Sequence, residues 1–229
     1  MSTMTANDRT VPSRPADAVR VAIAYHSGFG HTARQARAVA EGAGAVAGVS
    51  VALHPVDAPD EQLWTALQEA DAIVFGSPTY MGGASAAFRA FAERTGRLME
   101  DGLRWRDKIA AGFTCSGSMS GDKVNTLTDL AVFAAQHGMI WVGLAHRAGW
   151  NTSHGSVEDL NRLGGWLGAL AQANADESAE IVPPESDLRT ARELGRRVAE
   201  VTRAFRRGPA AETVTETALE GAPTAALAG

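Results

Sequence analysis

The sequence predicts an α/β protein with a parallel sheet covered by helices on both faces. Three observations carry that class. Five short apolar runs alternate with segments whose apolar residues recur at spacings of three and four. The runs are nearly continuous in apolar residues, as strands buried on both faces require. Stretches rich in glycine, serine and threonine follow the first, third and fourth runs, each just before a helical segment.

Val19–Tyr25 (VRVAIAY) is the first strand. A helix from about 32 to 46 then sets Ala36, Val39, Ala40 and Ala43 on one face. Residues 49–56 form a second strand. Asp60 can cap a short helix that turns Leu63, Trp64 and Leu67 inward. Residues 72–76 (AIVFG) are the third strand, followed by a helix over 84–94, and 108–115 are the fourth. The helix over 122–136 is expected to bury Val124, Leu127, Ala131 and Ala134. Residues 139–144 (MIWVGL) read as the fifth strand. The last helix, 186–207, carries Leu188, Ala191, Leu194, Val198, Val201 and Phe205 along one stripe. Residues 145–184 resist assignment, and so long a stretch favours a lid or a subunit contact.

Residues 1–18 and 209–229 are polar, lack periodicity, and read as disordered tails around one domain at 19–208. The chain's net charge is −5, and Glu212, Glu216 and Glu220 of the C-terminal tail carry three of those charges. The remainder is close to neutral, which argues against a nucleic-acid partner and against the acidic docking face of an electron carrier. No apolar run approaches a membrane span. Cys115 is the only cysteine, so no disulfide forms within the chain and no Cys-rich zinc site is available. The N-terminus shows no basic segment followed by an apolar stretch, and the expected compartment is the cytoplasm.

Open sheets of this kind bind ligands beyond the carboxyl ends of their strands, where strand order reverses. After the first strand, Ser27-Gly28-Phe29-Gly30-His31-Thr32 enters a helix directly, with small residues, hydroxyls and a helix N-terminus suited to an anion. No lysine follows the glycines, which excludes a nucleotide-triphosphatase P-loop. Gly28-x-Gly30-x-x-Ala33, with Asp57 near the end of the second strand, satisfies a loose dinucleotide pattern and leaves that reading open. After the third strand, the N–H groups of Thr79, Tyr80 and Met81 stand free beyond Pro78 and before Gly82-Gly83, suited to the edge of a flat ring. After the fourth comes a third small, hydroxyl-rich loop, residues 114–121. A phosphate at the first loop and a ring between the other two describe a mononucleotide. Cys115, at a strand end, reads as a small buried hydrophobe. Trp150 and Trp166 are the tryptophans placed best for the mouth of a pocket. His26, His54, His146 and His154 show no metal-ligand spacing.

YHSGFGHTARQARAVAEGA (25–43), GSPTYMGGASAAFRAFAERTG (76–96), FTCSGS (113–118) and QHGMIWVGL (136–144) together resemble the flavodoxin-like NAD(P)H:quinone oxidoreductases of the WrbA type. The resemblance covers about 19–207 and weakens after 145. It implies FMN, a five-stranded parallel sheet of order 2-1-3-4-5 with a long insertion after strand five, and tetramers built from dimers. Carried over by position, Ser27, Phe29, Gly30, His31 and Thr32 would surround the FMN phosphate. Pro78, Thr79, Tyr80, Met81 and Gly82 would border the isoalloxazine. Ser116, Gly117 and Ser118 would hold the ring and ribityl side. His137 would approach the flavin from a neighbouring subunit as a catalytic group, although on the residues alone it could simply cap a helix end.

The chain departs from the family at Tyr80-Met81, where Arg-Phe or a similar pair is usual, and at Met119, where Gln is usual. It also has Trp166-Leu167 where Pro-Tyr would stand in a Gly-Gly-x-Pro-Tyr-Gly stretch. The expected activity is FMN-dependent transfer of two electrons from NAD(P)H to a quinone or other flat aromatic acceptor by a ping-pong mechanism. The altered residues keep a specialised reductase of one pathway in view. A flavodoxin-type electron carrier and a flavin-binding interaction module without turnover also fit these loops.

Overall fold

A computed structural model describes residues 18–100 and 102–208. Apart from Ala18, the expected tails lie outside the described residues. β1 (Val19–Tyr25) leads to α1 (His31–Gly44), β2 (Val49–Pro55), α2 (Glu61–Glu69) and β3 (Ala72–Tyr80). Next come β4 (Gly83–Ala84), α3 (Ala86–Arg94), α4 (Gly96–Glu100) and β5 (Ile109–Ser116). α5 (Lys123–Gln136), β6 (Ile140–Trp141), β7 (Ala169–Gln172) and α6 (Glu185–Arg207) complete the elements of the described residues.

The main strands lie in the order β2-β1-β3-β5, all parallel. Two short strands share the outer edge of β5. β6 pairs with Ile109 and Ala110, and β7 pairs with Phe113 to Ser116. The fifth position of the expected order is thus filled by two pieces. This corrects the reading of 139–144 as a whole strand with an insertion after it: residues 142–168 interrupt the strand. Val142 N–H still reaches Ala110 O (2.7 Å), but Leu144 N–H turns to Trp166 O (3.0 Å), and the chain leaves the edge there. The Trp141 indole donates to Leu167 O (3.0 Å), pinning the exit of the insertion beside its entry.

Period-two alternation in β1 assigns the two cores. Val19, Val21 and Ile23 face α1 and α6, where Val39, Leu188, Leu194 and Val198 are buried. Ala22 and Ala24 face the other layer, filled by Phe75, Phe88, Phe91, Trp105, Leu127 and Leu130. α1 and α6 approach closely because each offers a glycine. A Cβ on Gly42 would lie 1.9 Å from Arg192 O, and one on Gly195 would lie 2.0 Å from Val39 O.

Two helical faces differ from expectation. Val124 is exposed, because α5 turns Lys123, Thr126, Leu127, Leu130 and Ala134 inward. Phe205 is also exposed, because the last turn of α6 instead sends Arg206 inward, to Ala18 O (3.0 Å) and Asp71 (2.7 Å).

The end of α2 is closed by a residue from β5's approach. Lys108 Nζ donates to the carbonyls of Leu67 (3.0 Å), Gln68 (2.6 Å) and Ala70 (2.6 Å). These are the groups a helix C-terminus leaves unpaired. Burial pushes the Lys108 ammonium down to about 8. Lys108→Met is expected to lower stability by about 2 kcal/mol, read from the urea midpoint at pH 7. The unfolded chain holds this proton up to about 10.4. The native state therefore binds fewer protons between about 8 and 10.4, and this group makes wild-type stability rise with pH across that window. The variant loses that share of the slope.

Candidate functional site

A cavity of about 240 Å³ opens at the carboxyl ends of β1, β3 and β5. Phe29, His31 and Thr32 form one side, Pro78, Thr79 and Tyr80 a second, and Cys115, Ser116 and Gly117 a third. Ala173 and Ala175, just past β7, close the wall. The three loops singled out in the sequence therefore converge, around the point where β1 lies between β2 and β3.

The first loop ends in an uncapped helix. Gly30 takes a left-handed conformation (φ 87°) at the N-cap of α1, with no side-chain cap and no acidic residue in the first turn. Ser27 Oγ accepts from Ala33 N–H (3.0 Å). The N–H groups of His31 and Thr32 meet no acceptor among the described residues. Unpaired donors at the positive end of a helix make an anion site. The His31 imidazole is not free to join it, since Nε2 lies 2.8 Å from Glu177 O. Arg34 reaches Ala179 O (3.1 Å), so the 177–179 segment is latched over the start of α1.

The second loop is a hairpin, where the sequence leads one to expect a run of free N–H groups at Thr79, Tyr80 and Met81. β3 runs on to Tyr80, turns through Met81 (φ 49°) and Gly82 (φ 80°), and returns as β4. A two-residue turn with both φ positive suits the twist of a hairpin. Thr79 and Tyr80 are drawn into a ladder with Ala84 and Gly83, which takes up backbone groups expected to stand free. Thr79 Oγ1 joins Thr114 and Thr126 at 2.8 Å each, and Ser77 Oγ accepts from Ser85 N–H (3.0 Å). Met81 is fully exposed, and neither it nor Gly82 lines the cavity. The Tyr80 ring meets Phe29 edge to face at 6.2 Å. Its phenol crosses the first loop, and a Cβ on Gly28 would lie 2.6 Å from Tyr80 Oη. Burial raises the pKa of that phenol, partly offset by the bond it accepts from the Gly28 N–H.

The third loop is held by residues that sequence reading missed. Lys123 Nζ donates to Ser118 O (2.6 Å) and Met119 O (2.9 Å). Gln172 Nε2 donates to Gly117 O (2.8 Å). Arg162 and Asp187 form a buried two-pronged ion pair (2.7 and 2.8 Å), and Asp187 also accepts from Gln172 N–H (2.9 Å). Ser118, expected at the ligand, spends its carbonyl on Lys123 and on Ser116 Oγ (3.1 Å). Burial pushes the Cys115 thiol up to about 12, which keeps it protonated and inert. The one local signal for these residues was a lysine at the first position of a helix, where the dipole disfavours a cation.

His137 lies elsewhere. It follows α5 at the amino ends of the strands, where Gly138 O accepts from Asp107 N–H (3.0 Å). Its ring is 1% exposed, enclosed by Trp105 and Phe133, and Nε2 lies 2.8 Å from Thr95 Oγ1. The structure thus corrects the expectation of a catalytic group reaching a neighbour's flavin. The ring is packed inside its own chain because the turn after α5 folds it against Trp105. Trp166 is exposed and lines a second cavity of about 270 Å³ beside Met119, and Trp150 is exposed away from both cavities. The stretch 145–184 is organised by Asn161, whose side chain bonds His146 O and both backbone groups of Gly165, each at 2.9 Å.

FMN needs an anion site, uncharged donors along a chain of hydroxyls, and a slot for a flat ring. The uncapped α1 terminus, the left-handed Gly30, the cavity wall of Thr32, Thr79 and Ser116, and the gap between the second and third loops meet those needs. At about 240 Å³ the cavity is below the ~300–1,000 Å³ typical of ligand pockets. Tyr80 is part of its lining, with the phenol laid across Gly28.

A doubly covered parallel sheet with a mononucleotide site at its switch point defines a flavodoxin-like protein. Residues 52–149 match the model of the NADPH-dependent FMN reductase family. The chain is 34% identical to an NAD(P)H dehydrogenase (quinone) of Aromatoleum aromaticum, across 84% of this chain and 100% of that protein. It is 40% identical to the flavodoxin FldP of Pseudomonas aeruginosa, across 80% and 96%. The crystal structure of a WrbA-like flavodoxin from Agrobacterium tumefaciens superposes with a TM-score of 0.65 at 39% identity, covering 82% of this chain and 99% of that one. The chain belongs to the flavodoxin-like NAD(P)H:quinone oxidoreductases of the WrbA type, flavoprotein enzymes whose cofactors are FMN and NAD(P)H. Among the described residues, no helix is long and apolar enough to cross a membrane.

Proposed function

We propose that this protein takes two electrons from NAD(P)H and passes them to a quinone or similar flat aromatic acceptor by a ping-pong mechanism. The observation that carries the reading is the convergence of three loops on one cavity beside the uncapped N-terminus of α1. When bound, FMN supplies the ring that accepts hydride and returns the electrons. In this reading the N–H groups of His31 and Thr32, with Gly30 shaping the turn and Ser27 and Phe29 beside it, hold the phosphate. Pro78, Thr79, Tyr80, Met81 and Gly82 border the ring, with Tyr80 swung outward as its cover. Ser116, Gly117 and Ser118 flank the ring edge and ribityl chain. No side chain of this set acts as a nucleophile. With one open face, NAD(P)H and acceptor would use the same stacking site in turn, which is the basis of the ping-pong assignment.

Phe29, Met81 and Trp166 leave apolar surface around the site (74%, 104% and 61% exposed), which supports a tetramer whose neighbours cover it. The single cysteine, buried and inert, suits a reducing cytoplasm.

The 40% identity to a flavodoxin favours one competitor, an electron carrier. An absorption spectrum during anaerobic addition of NAD(P)H separates the two. A reductase loses its yellow absorbance in one two-electron step, and the electrons then pass to added quinone. A carrier keeps its colour with NAD(P)H alone, and that result would sink the proposal.

A further inference from the structure

Lys123, at the start of α5, is 1% exposed. Its ammonium donates to Ser118 O (2.6 Å), Met119 O (2.9 Å) and Ser120 O (3.4 Å). In a trans peptide the carbonyl and the next N–H point to opposite sides. Drawing these three carbonyls onto one cation therefore turns the N–H groups of Met119, Ser120 and Gly121 away from it. None of the three meets an acceptor among the described residues. Successive outward N–H groups form a concave site for negative charge. The helix itself gives no reason for this lysine, since a cation at an N-terminus opposes the dipole.

We propose that Lys123 is a positioning residue for the flavin. The turn continues from Ser116 and Gly117 of the cavity wall, and its Met119 and Ser120 border the second cavity; by gathering its carbonyls, Lys123 would present the outward N–H groups to the electron-rich edge of an FMN ring that reaches past that wall. The inference rests on the flavin reading above and adds a residue to it. The matching stretch FTCSGS ends at Ser118, and the lysine that aligns the turn lies beyond it.

The charged and titratable groups facing Lys123 are few. Cys115 of β5 is held neutral at this depth, and Asp187 of α6 is paired with Arg162 of the 142–168 insertion. Burial is the main influence on the ammonium and pushes it down to about 8, with Asp187 opposing that shift and Arg162 adding to it. The clamp should therefore slacken as pH rises through about 8.

The test measures FMN affinity by quenching of flavin fluorescence from pH 6.5 to 9.5, for wild type and Lys123→Met. Wild type is expected to bind about tenfold more tightly at pH 7, the loss of roughly one aligned charge-assisted bond. Its advantage should fade above pH 8, while the variant shows no inflection there. Equal affinities at pH 7, or the same inflection in both chains, overturn the proposal. A second readout needs neither FMN nor a folded variant. In the apo-protein, the backbone carbonyl ¹³C shifts of Ser118, Met119 and Ser120 should follow one titration near pH 8, and carbonyls that ignore pH overturn the clamp. A wild-type chain that takes up no FMN while those carbonyls titrate would locate the failure in the flavin reading and end the clamp's role toward FMN.

Discussion

Gly30→Val is expected to weaken FMN binding about a hundredfold, close to 2.7 kcal/mol, while the apo-protein still folds. Gly30 holds φ at 87° and is the N-cap of α1. A left-handed conformation costs an ordinary residue about 1–2 kcal/mol, and a β-branched one suffers more. The first side-chain carbon would also lie 2.9 Å from the Ala179 methyl. The strain is relieved by rotating the 30–31 peptide, and that rotation turns the His31 N–H off the phosphate and disturbs Thr32. Hydrogen bonds to a charged group contribute about 1.5–3 kcal/mol each, so one or two misaligned bonds give the stated loss. Titration with riboflavin, which lacks the phosphate, localises the effect: its affinity should change by less than about threefold. Gly208→Val is the control. It imposes a left-handed residue (φ 69°) with no atom within 4 Å, at the far end of α6. It should leave both affinities alone. Equal losses of FMN and riboflavin in Gly30→Val would remove the phosphate from the α1 terminus.

What the sequence made legible follows the range of the interactions involved. β1 has the predicted bounds because VRVAIAY carries both its strand signal and its two-faced burial within seven residues. The three loops were legible for the same reason, since glycines and hydroxyls before a helix are a local pattern. The split fifth strand was not. Residues 169–172 (ALAQ) have no periodicity of their own, and only pairing with Phe113 to Ser116 makes them a strand. The phase of α5 differs from the expected one because the ammonium of Lys123, at its start, turns inward and takes Val124 out of the core. Lys123, Arg162 and Asp187 are separated by up to 64 positions in the chain and meet only once the insertion has folded back on α6. The hairpin at Met81-Gly82 was hidden by a methionine in a position that usually takes asparagine or glycine.

Replacing His137 by alanine is expected to cost about 3 kcal/mol of stability, the amount typical of emptying an aromatic site in a core. Thr95 fixes how the ring is used. The Thr95 hydroxyl donates its proton to Ala92 O (2.6 Å), so it must accept from His137 Nε2–H (2.8 Å). Nδ1 is then a bare acceptor, buried with no partner among the described residues. A proton on Nδ1 would have no acceptor, and burial accordingly lowers the pKa of this imidazole. The sign of the pH dependence follows. The unfolded chain takes up the proton near 6.5, and the native state does so only at lower pH. The stability this group provides is therefore complete above about 6.5 and is lost as pH falls toward the native value. His54, also lowered by burial, adds a share of the same sign. His137→Phe keeps most of the ring packing but leaves Thr95 without its donor, so at pH 7.5 it should lose only about 1–2 kcal/mol. It should also lose less than wild type between pH 7.5 and 5.5, because nothing at 137 can then be protonated in the unfolded state. Urea unfolding at both values measures all three chains. A His137→Ala chain as stable as wild type, or a His137→Phe chain with the full wild-type acid slope, would show that the imidazole is not the neutral core group its surroundings require.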